Sequence, residues 1–411
     1  MLAAARLGAK SLGARCGRAT NLGSRGLSSV FPREREGNHY ATNWSLTEDG
    51  VVPVGDAFRN ARVALLTTRL GSKVENGKVE GKVAYTGKYV MKEAGEEGLS
   101  HVSFSDALAE QQAYLSSGVE LFVEDAAICA FTGGRVGVRV VTDSSAMALI
   151  ARTLLIAVPE RPVDHRARFD GWNFDPRWAE PEVIWTGDKA QVNDGPTTPK
   201  KGQRPIVAYV GGPGDKVAVQ FVEANAKIVG ANICIGGAAP VRALVEALGH
   251  ASSVLINEQN TCGGLALSAT TLVKGASTVM VVSADDSIVD ASAASSSLYS
   301  PYHSFLTPAG VSAMWNGAIT TAPTAPKASR LSPPLVVSSG KAAVGLSPDN
   351  LAPRPTSIVF FEKGARKGPV SEEDAAKRLA ALTDEGRGEA IKAVLKGVKC
   401  YTAGSMADID L

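Results

Sequence analysis

Apolar and polar positions change period several times along the chain, and each change marks an element. The changes are sharpest in residues 121–156. Leu121, Phe122 and Val123 form an apolar, strand-like run that ends on Glu124 and Asp125, and Thr132, Gly133 and Gly134 supply a turn. Residues 135–142 alternate charged or small side chains with valines, the period-two pattern of a half-buried strand. Asp143, Ser144 and Ser145 offer oxygens that accept free helix N–H bonds. From Ala146 the period becomes helical, with Met147, Ile150, Leu154 and Leu155 on one side and Arg152 near the other. The predicted unit is strand, turn, strand, capped helix.

Shorter signals flank it. Residues 61–68 read as a strand, and 71–82 as a hairpin around Asn76-Gly77. A helix is expected over 105–116, with Leu108, Tyr114 and Leu115 inward and Gln111 and Gln112 outward. Residues 159–185 are irregular, anchored by Trp172, Phe174 and Trp178, and 193–204 form a surface loop by composition. Strands follow at 205–210 and 217–222, then an apolar run over 226–235 ending on Gly236-Gly237. A helix over 240–248 has Pro240 in its first turn, which suits proline, and 252–256 and 278–282 are short buried strands. The class is α/β: a mixed sheet with helices packed on it.

From 283 to 355 Ala, Ser, Thr and Pro dominate and the period fades, leaving Tyr299, Tyr302, Phe305 and Trp315 as anchors. This predicts an extended, irregular segment that wraps a surface. A late strand at 357–361 precedes two amphipathic helices. The first opens on Ser371 with Asp374, close to a capping box, and turns Ala375, Leu379 and Leu382 to one stripe; the second covers 389–398. The tail is acidic at Asp408 and Asp410.

Composition narrows the class. The 411 residues suffice for two domains or one large one, and 45% hydrophobic residues is ordinary for a globular chain. A net charge of +2 gives no sign of nucleic acid as a partner. No apolar run is long enough to span a bilayer; the best, 146–158, is short and broken by Arg152. Cys16, Cys129, Cys234, Cys262 and Cys400 are scattered with no Cys-x-x-Cys pair, which reads as free thiols in a reducing compartment rather than a zinc site.

Residues 1–32 carry Arg6, Lys10, Arg15, Arg18 and Arg25 among Ala, Leu, Gly and Ser, without an acid. That is the composition of a mitochondrial transit peptide, with a cut expected near Leu27 and acids appearing abruptly at Glu34 and Glu36. The expected organisation is a transit peptide over 1–27, an extended arm over 34–60 and an α/β domain over 61–282. The extended segment over 283–355 and a C-terminal strand and helices over 356–411 complete it. The arm, with Tyr40 and Trp44, lies either on a partner or on the chain's own surface.

The 121–156 unit resembles the N-terminal domain of ATP-dependent phosphoenolpyruvate carboxykinase. That family has a similar strand ending in an acidic pair, a turn, an Arg-x-x-Val-Arg strand and a helix closing on an apolar triplet. Thr86-Gly87-Lys88-Tyr89-Val90 sits where the family has its Thr-Gly-Arg segment, and a looser likeness continues to Gly237. The resemblance implies a carboxykinase N-terminal-domain-like fold. It also implies chemistry that these residues do not supply. The phosphate-cradling Gly-x-x-x-x-Gly-Lys-Ser/Thr pattern does not occur; the corresponding point reads Ser283-Ala284-Asp285-Asp286-Ser287, whose carboxylates repel polyphosphate. Asp285 and Asp286 read as a solvated turn ahead of a metal site. Where the family has its carboxylate-holding arginine stands Lys88 under one alignment and Tyr89 or Val90 under another, and lysine is no bidentate substitute. Ala238, Ala239 and Pro240 follow Gly236-Gly237 where the family has its metal-binding lysine, and Asn257, Glu258 and Asn260 lie where it has its histidine.

Other motifs read as structure. Gly211-Gly212-Pro213-Gly214-Asp215 is a turn, because Pro213 removes a donor. His39, His101, His165, His250 and His303 have no metal-ligand spacing, and no Gly-x-Ser-x-Gly elbow frames a nucleophile. Arg135 and Arg139 are expected to pair with Glu124 or Asp125. The expectation is therefore a pseudoenzyme, with no catalytic, cofactor-binding or metal-binding residues and no cofactor. It would be an accessory subunit of a mitochondrial inner-membrane complex, of the kind that resembles lineage-specific subunits in protists. ATP synthase comes first, ahead of a respiratory-chain complex or the mitoribosome. The chain would sit peripherally on the matrix side, held by neighbouring subunits. A divergent active carboxykinase and a small-ligand binding protein reusing the cleft are the alternatives.

Overall fold

The computed structural model describes residues 34–35, 46–71, 78–80, 83–85, 87–118, 120–131, 134–156, 183–184, 205–259, 263–283, 288, 298–321, 335–338, 342–346, 351–383 and 387–410. The expected transit peptide, Tyr40 and Trp44 of the arm, Asn76-Gly77, the expected anchors Trp172, Phe174 and Trp178, the expected 193–204 loop and Asp285-Asp286 lie outside the described residues.

The valine-rich strands build a nine-stranded mixed sheet. Its order is Glu34–Arg35, Asp56–Arg59, Glu120–Ile128, Arg135–Thr142, Ile206–Gly211, Lys227–Gly236, Val217–Ala224 and Met91–Glu93, with Val183–Ile184 beside the start of Arg135–Thr142. Glu120–Ile128 and Arg135–Thr142 are antiparallel, and Asp125 lies opposite Arg139. Arg135–Thr142, Ile206–Gly211 and Lys227–Gly236 run parallel, so their carboxyl ends share one edge.

Side-chain alternation divides these strands between two cores. Val136, Val138, Val140, Ile206, Ala208 and Val210 face the core closed by the helices Ser145–Leu154 and Val241–Gln259. Val141, Val207 and Tyr209 face the other, closed by Leu115 of the His101–Ser116 helix together with Leu46 and Val51. The Arg135–Thr142 strand is therefore buried on both faces, not half-buried, as a sheet with parallel crossovers requires. Ser144 caps the Ser145–Leu154 helix by accepting from Met147 N, as its sequence position predicts.

The remaining strands form a six-stranded sheet and two four-stranded ones. The six-stranded sheet pairs Ser277–Val282 in parallel with Ser357–Phe361, and Ser357–Phe361 with Lys399–Ala403. The helices Glu372–Ala380 and Gly388–Leu395 close over it through Ala375, Leu379, Ile391, Val394 and Leu395. The α/β class with helices on a mixed sheet is what the structure has.

Several local expectations are corrected. The acidic pair does not end its strand; Glu120–Ile128 runs on through it. Residues 61–68 contribute to the helix Val63–Leu70, not a strand: the run lacks period-two alternation, Ala and Leu favour helix, and the Thr67 and Thr68 hydroxyls bond back to Val63 O and Ala64 O. Residues 252–256 belong to the helix Val241–Gln259, where Leu244, Leu248, Ala251 and Leu255 keep one buried stripe straight past Gly249. Lys78–Glu80 pairs in parallel with Leu335–Ser338, and the remainder of the expected hairpin, 72–77 and 81–82, lies outside the described residues. The described residues of the 34–60 arm pack on their own chain: Glu34–Arg35 joins the sheet, and Leu46 and Val51 are fully buried. Tyr114 is partly exposed, and Leu382, expected in the buried stripe of its helix, is 44% exposed.

The largest correction concerns 283–355. Its described residues form seven strands, from Leu298–Ser300 to Leu351–Pro353, and Phe305 and Trp315 are fully buried. Small Ser, Ala and Thr residues weaken the hydrophobic signal of such strands without preventing close sheet pairing.

Candidate functional site

Sheets with parallel strands present ligands at the carboxyl ends of those strands. Here that edge consists of Asp143 and Ser144, the Gly211–Gly214 turn (residues 211–214), and Gly236-Gly237 leading to the Val241–Gln259 helix. The two glycine groups lock onto each other through backbone. Gly236 N donates to Lys216 O, Gly237 N to Gly212 O and Ala238 N to Gly214 O, each at 2.9 Å. The approach demands glycine: a Cβ at Gly236 would lie 2.3 Å from Gly214 O, and one at Gly237 2.7 Å from Gly212 O. The sequence reading of 211–215 as a turn agrees with this geometry.

The helix N-terminus beside the glycines is closed as well. Helices begin with N–H groups that lack partners inside the helix, and such groups are natural anion donors. Val241 N donates to Ala84 O at 2.8 Å, Arg242 N to Tyr85 O at 3.1 Å and Ala243 N to Pro240 O at 2.9 Å. The chain just before Thr86-Gly87 thus sits on the helix start, and the Pro240 ring lies 3.6 Å from where a Gly87 Cβ would be. Lys88 is exposed. Tyr89 is half-buried; burial first, then the Glu246 carboxylate, raise its hydroxyl above the usual tyrosine range. Arg242 is engaged with Glu246 at 3.0 Å and stacks 4.0 Å from the Tyr302 ring.

Side chains cover the rest of the edge. Gln111 Nε2 donates to Gly211 O at 2.8 Å, and Gln112 Nε2 to Asp49 O at 2.8 Å, so these glutamines turn inward, against expectation. A helix stripe counted from leucines alone misses them, because their partners are carbonyls. Tyr114 lies over Gly212 and donates its hydroxyl to Asp143 Oδ2 at 2.8 Å.

Beneath this edge lies a buried charge network. Asp125 accepts from Arg59 Nε at 2.7 Å and from Arg139 Nε and Nη2 at 2.8 and 2.9 Å. Arg139 Nη1 also donates to Asp49. Asn60 Oδ1 accepts from Asp125 N, and the Tyr209 hydroxyl donates to Asp49 O, both at 2.8 Å. Burial opposes the Arg139 charge, but Asp125 and Asp49 outweigh it and hold the guanidinium protonated. Glu124 points to the opposite face and pairs with Arg152 at 3.0 Å; burial pushes its carboxyl up to about 7 against the pull of Arg152. Arg139 therefore pairs as expected. Arg135 does not: it donates to Cys129 O and Ala130 O. Asp49 and Arg59 were missed in the sequence, since nothing local signals a partner so distant along the chain.

Among the described residues no group of three or more His, Cys, Asp or Glu is placed to hold a metal ion, and no helix is long and apolar enough to cross a membrane. Cys129, Cys234 and Cys400 form no disulfide among the described residues; Cys16 and Cys262 lie outside the described residues. No family model matches the chain, and no curated protein matches its sequence.

Proposed function

We propose that this protein is a non-catalytic structural subunit of a mitochondrial assembly, built on a carboxykinase N-terminal-domain-like α/β unit over 61–282. It sits peripherally on the matrix side of the inner membrane and is held by neighbouring subunits. ATP synthase is the first complex to test and a respiratory-chain complex the second. One observation supports the non-catalytic reading above others: the first amides of the Val241–Gln259 helix, beside Gly236-Gly237, donate to Ala84, Tyr85 and Pro240 carbonyls. A phosphate seated there must break bonds worth about 1 kcal/mol each net and displace the segment that makes them. The mitochondrial reading rests on the acid-free basic leader.

The test is the native mass of the tagged protein in detergent-solubilised mitochondria, with its companions identified by mass spectrometry. Migration with a very large inner-membrane complex is expected; a free monomer overturns the assembly role. For the alternatives, purified protein is melted with and without ATP, magnesium and phosphoenolpyruvate, and assayed for oxaloacetate formed from phosphoenolpyruvate, bicarbonate and ADP. No shift and no product are expected; a saturable rise in Tm alone favours a ligand-binding protein, and product overturns the non-catalytic reading.

A further inference from the structure

One cluster of buried polar atoms has no role in this fold. His303, Trp315 and Ser252 are 8%, 0% and 0% exposed. His303 Nδ1, Trp315 Nε1, Ser252 Oγ and the Oγ of half-buried Ser253 find no hydrogen-bond partner among the described residues. Buried polar atoms in folded proteins are nearly always bonded, and each exception calls for an explanation. Helical serines ordinarily bond back to the preceding turn; these two do not.

Ring contacts and helix register connect the four residues. The His303 ring rests on the Val241–Gln259 helix at Gly249, where a Cβ would stand 2.2 Å from Nε2. Ser252 and Ser253 lie three and four residues further on, the positions that share a helix face with Gly249. Trp315 meets His303 edge to face, with ring centroids 6.3 Å apart and planes at 61°. The backbone is bent to bring this about. Tyr302 has φ 63°, and His303 N donates to Pro301 O at 2.7 Å, a tight turn of the strained γ type. Ser300 Oγ holds it by donating to His303 O at 2.6 Å, and Tyr302 N donates to Thr270 Oγ1 at 3.3 Å. Strain that surrounding bonds fix in place is a mark of functional sites.

We propose that His303, Trp315, Ser252 and Ser253 form an internal binding site for an uncharged hydroxyl group. Its oxygen accepts from the Trp315 indole and a serine hydroxyl, and its hydrogen is donated to His303 Nδ1. A bridging O–H spans polar groups that do not reach each other directly. Burial first, then the electrostatic influence of Arg242 and His250, lower His303 to about 3, so the imidazole is neutral. The hydroxyl comes either from an ordered water or from a small organic molecule.

A crystal structure of the full chain at near-atomic resolution tests this directly. A density peak within hydrogen-bond reach of both His303 Nδ1 and Trp315 Nε1 is expected. A single round peak identifies water and a larger connected one an organic hydroxyl; no peak overturns the site. In solution, S252A and S253A are compared with S105A, which removes an exposed helix hydroxyl that bonds back to His101 O and so reports the propensity gain together with the loss of one exposed bond. Relative to S105A, the variant that loses the bridging serine should melt about 1–2 °C lower, because a bridged hydroxyl is lost. Melting points of both variants equal to or above that of S105A mean the hydroxyls were idle, and overturn the proposal.

Discussion

Replacing Asp125 by Ala should bring the protein close to unfolding. The carboxylate is 1% exposed on its side chain and accepts from Arg59, itself 1% exposed, and from two nitrogens of Arg139. Three charge-assisted bonds at about 1.5 kcal/mol each already exceed 4 kcal/mol, and removing one partner of a buried ion pair costs about 3–5 kcal/mol in general. Arg139 keeps Asp49, which limits the loss on that side. The two estimates agree on about 4 kcal/mol, against total stabilities of about 5–15 kcal/mol. The assay is urea unfolding followed by far-UV circular dichroism, with wild type and variant compared at one pH. A control separates charge from shape: Asp125→Leu with Arg59→Met removes one buried charge of each sign, leaves the Arg139–Asp49 pair, and should recover part of the loss. A D125A midpoint within about 1 kcal/mol of wild type would refute the reasoning, because the network would then add nothing that solvent does not supply.

Further expectations follow from individual contacts. Gly249→Ala should destabilise by about 1–3 kcal/mol because its Cβ enters the His303 ring, whereas Gly388→Ala, with open space around it, should be neutral or gain up to about 1 kcal/mol in the same melts. Gly236→Ala forces its Cβ against Gly214 O and should lower stability by about 1–3 kcal/mol; a neutral result would mean the glycine lock is loose. Ser371 accepts from Asp374 N at 3.1 Å as the N-cap of its helix, so Ser371→Ala should cost about 1 kcal/mol by urea melt. Glu124 has a folded value near 7, above its ordinary 4.5, so its contribution to stability is greatest below 4.5, falls as pH rises towards 7 and then levels. Glu124→Gln should therefore gain on wild type by about 1–3 kcal/mol between about pH 5 and pH 8; an unchanged difference across that window would contradict the assignment.

Which parts of the fold were legible in the sequence depends on where each residue finds its partner. The valines of Arg135–Thr142, the Ser144 and Ser371 caps and the Ser357–Phe361 strand were readable because alternation and capping are local. The Val241–Gln259 helix was cut short at Leu248 because Gly249-His250 looks like a helix end. The glycine stands there for a contact with His303, more than fifty residues away, that no local pattern reveals. Asp49, Arg59 and the inward glutamines were hidden for the same reason: their energies lie in bonds to residues distant in the chain.

The glycine pairs show the same ambiguity at the candidate site. Gly211-Gly212 and Gly236-Gly237 have the composition of a loop that curls around a phosphate, and the same composition serves two backbones that touch. Freedom from a Cβ is common to both uses, so sequence alone does not separate them. What separates them is where the amides point. Gly236, Gly237 and Ala238 donate to carbonyls of the facing turn, and Val241 and Arg242 donate to Ala84 and Tyr85. Donors already committed to carbonyls stabilise a scaffold and weaken any competing anion by the bonds it must replace. Glycine pairs at this edge are therefore compatible with a purely structural role, and the decisive quantity is the free energy of breaking those backbone bonds.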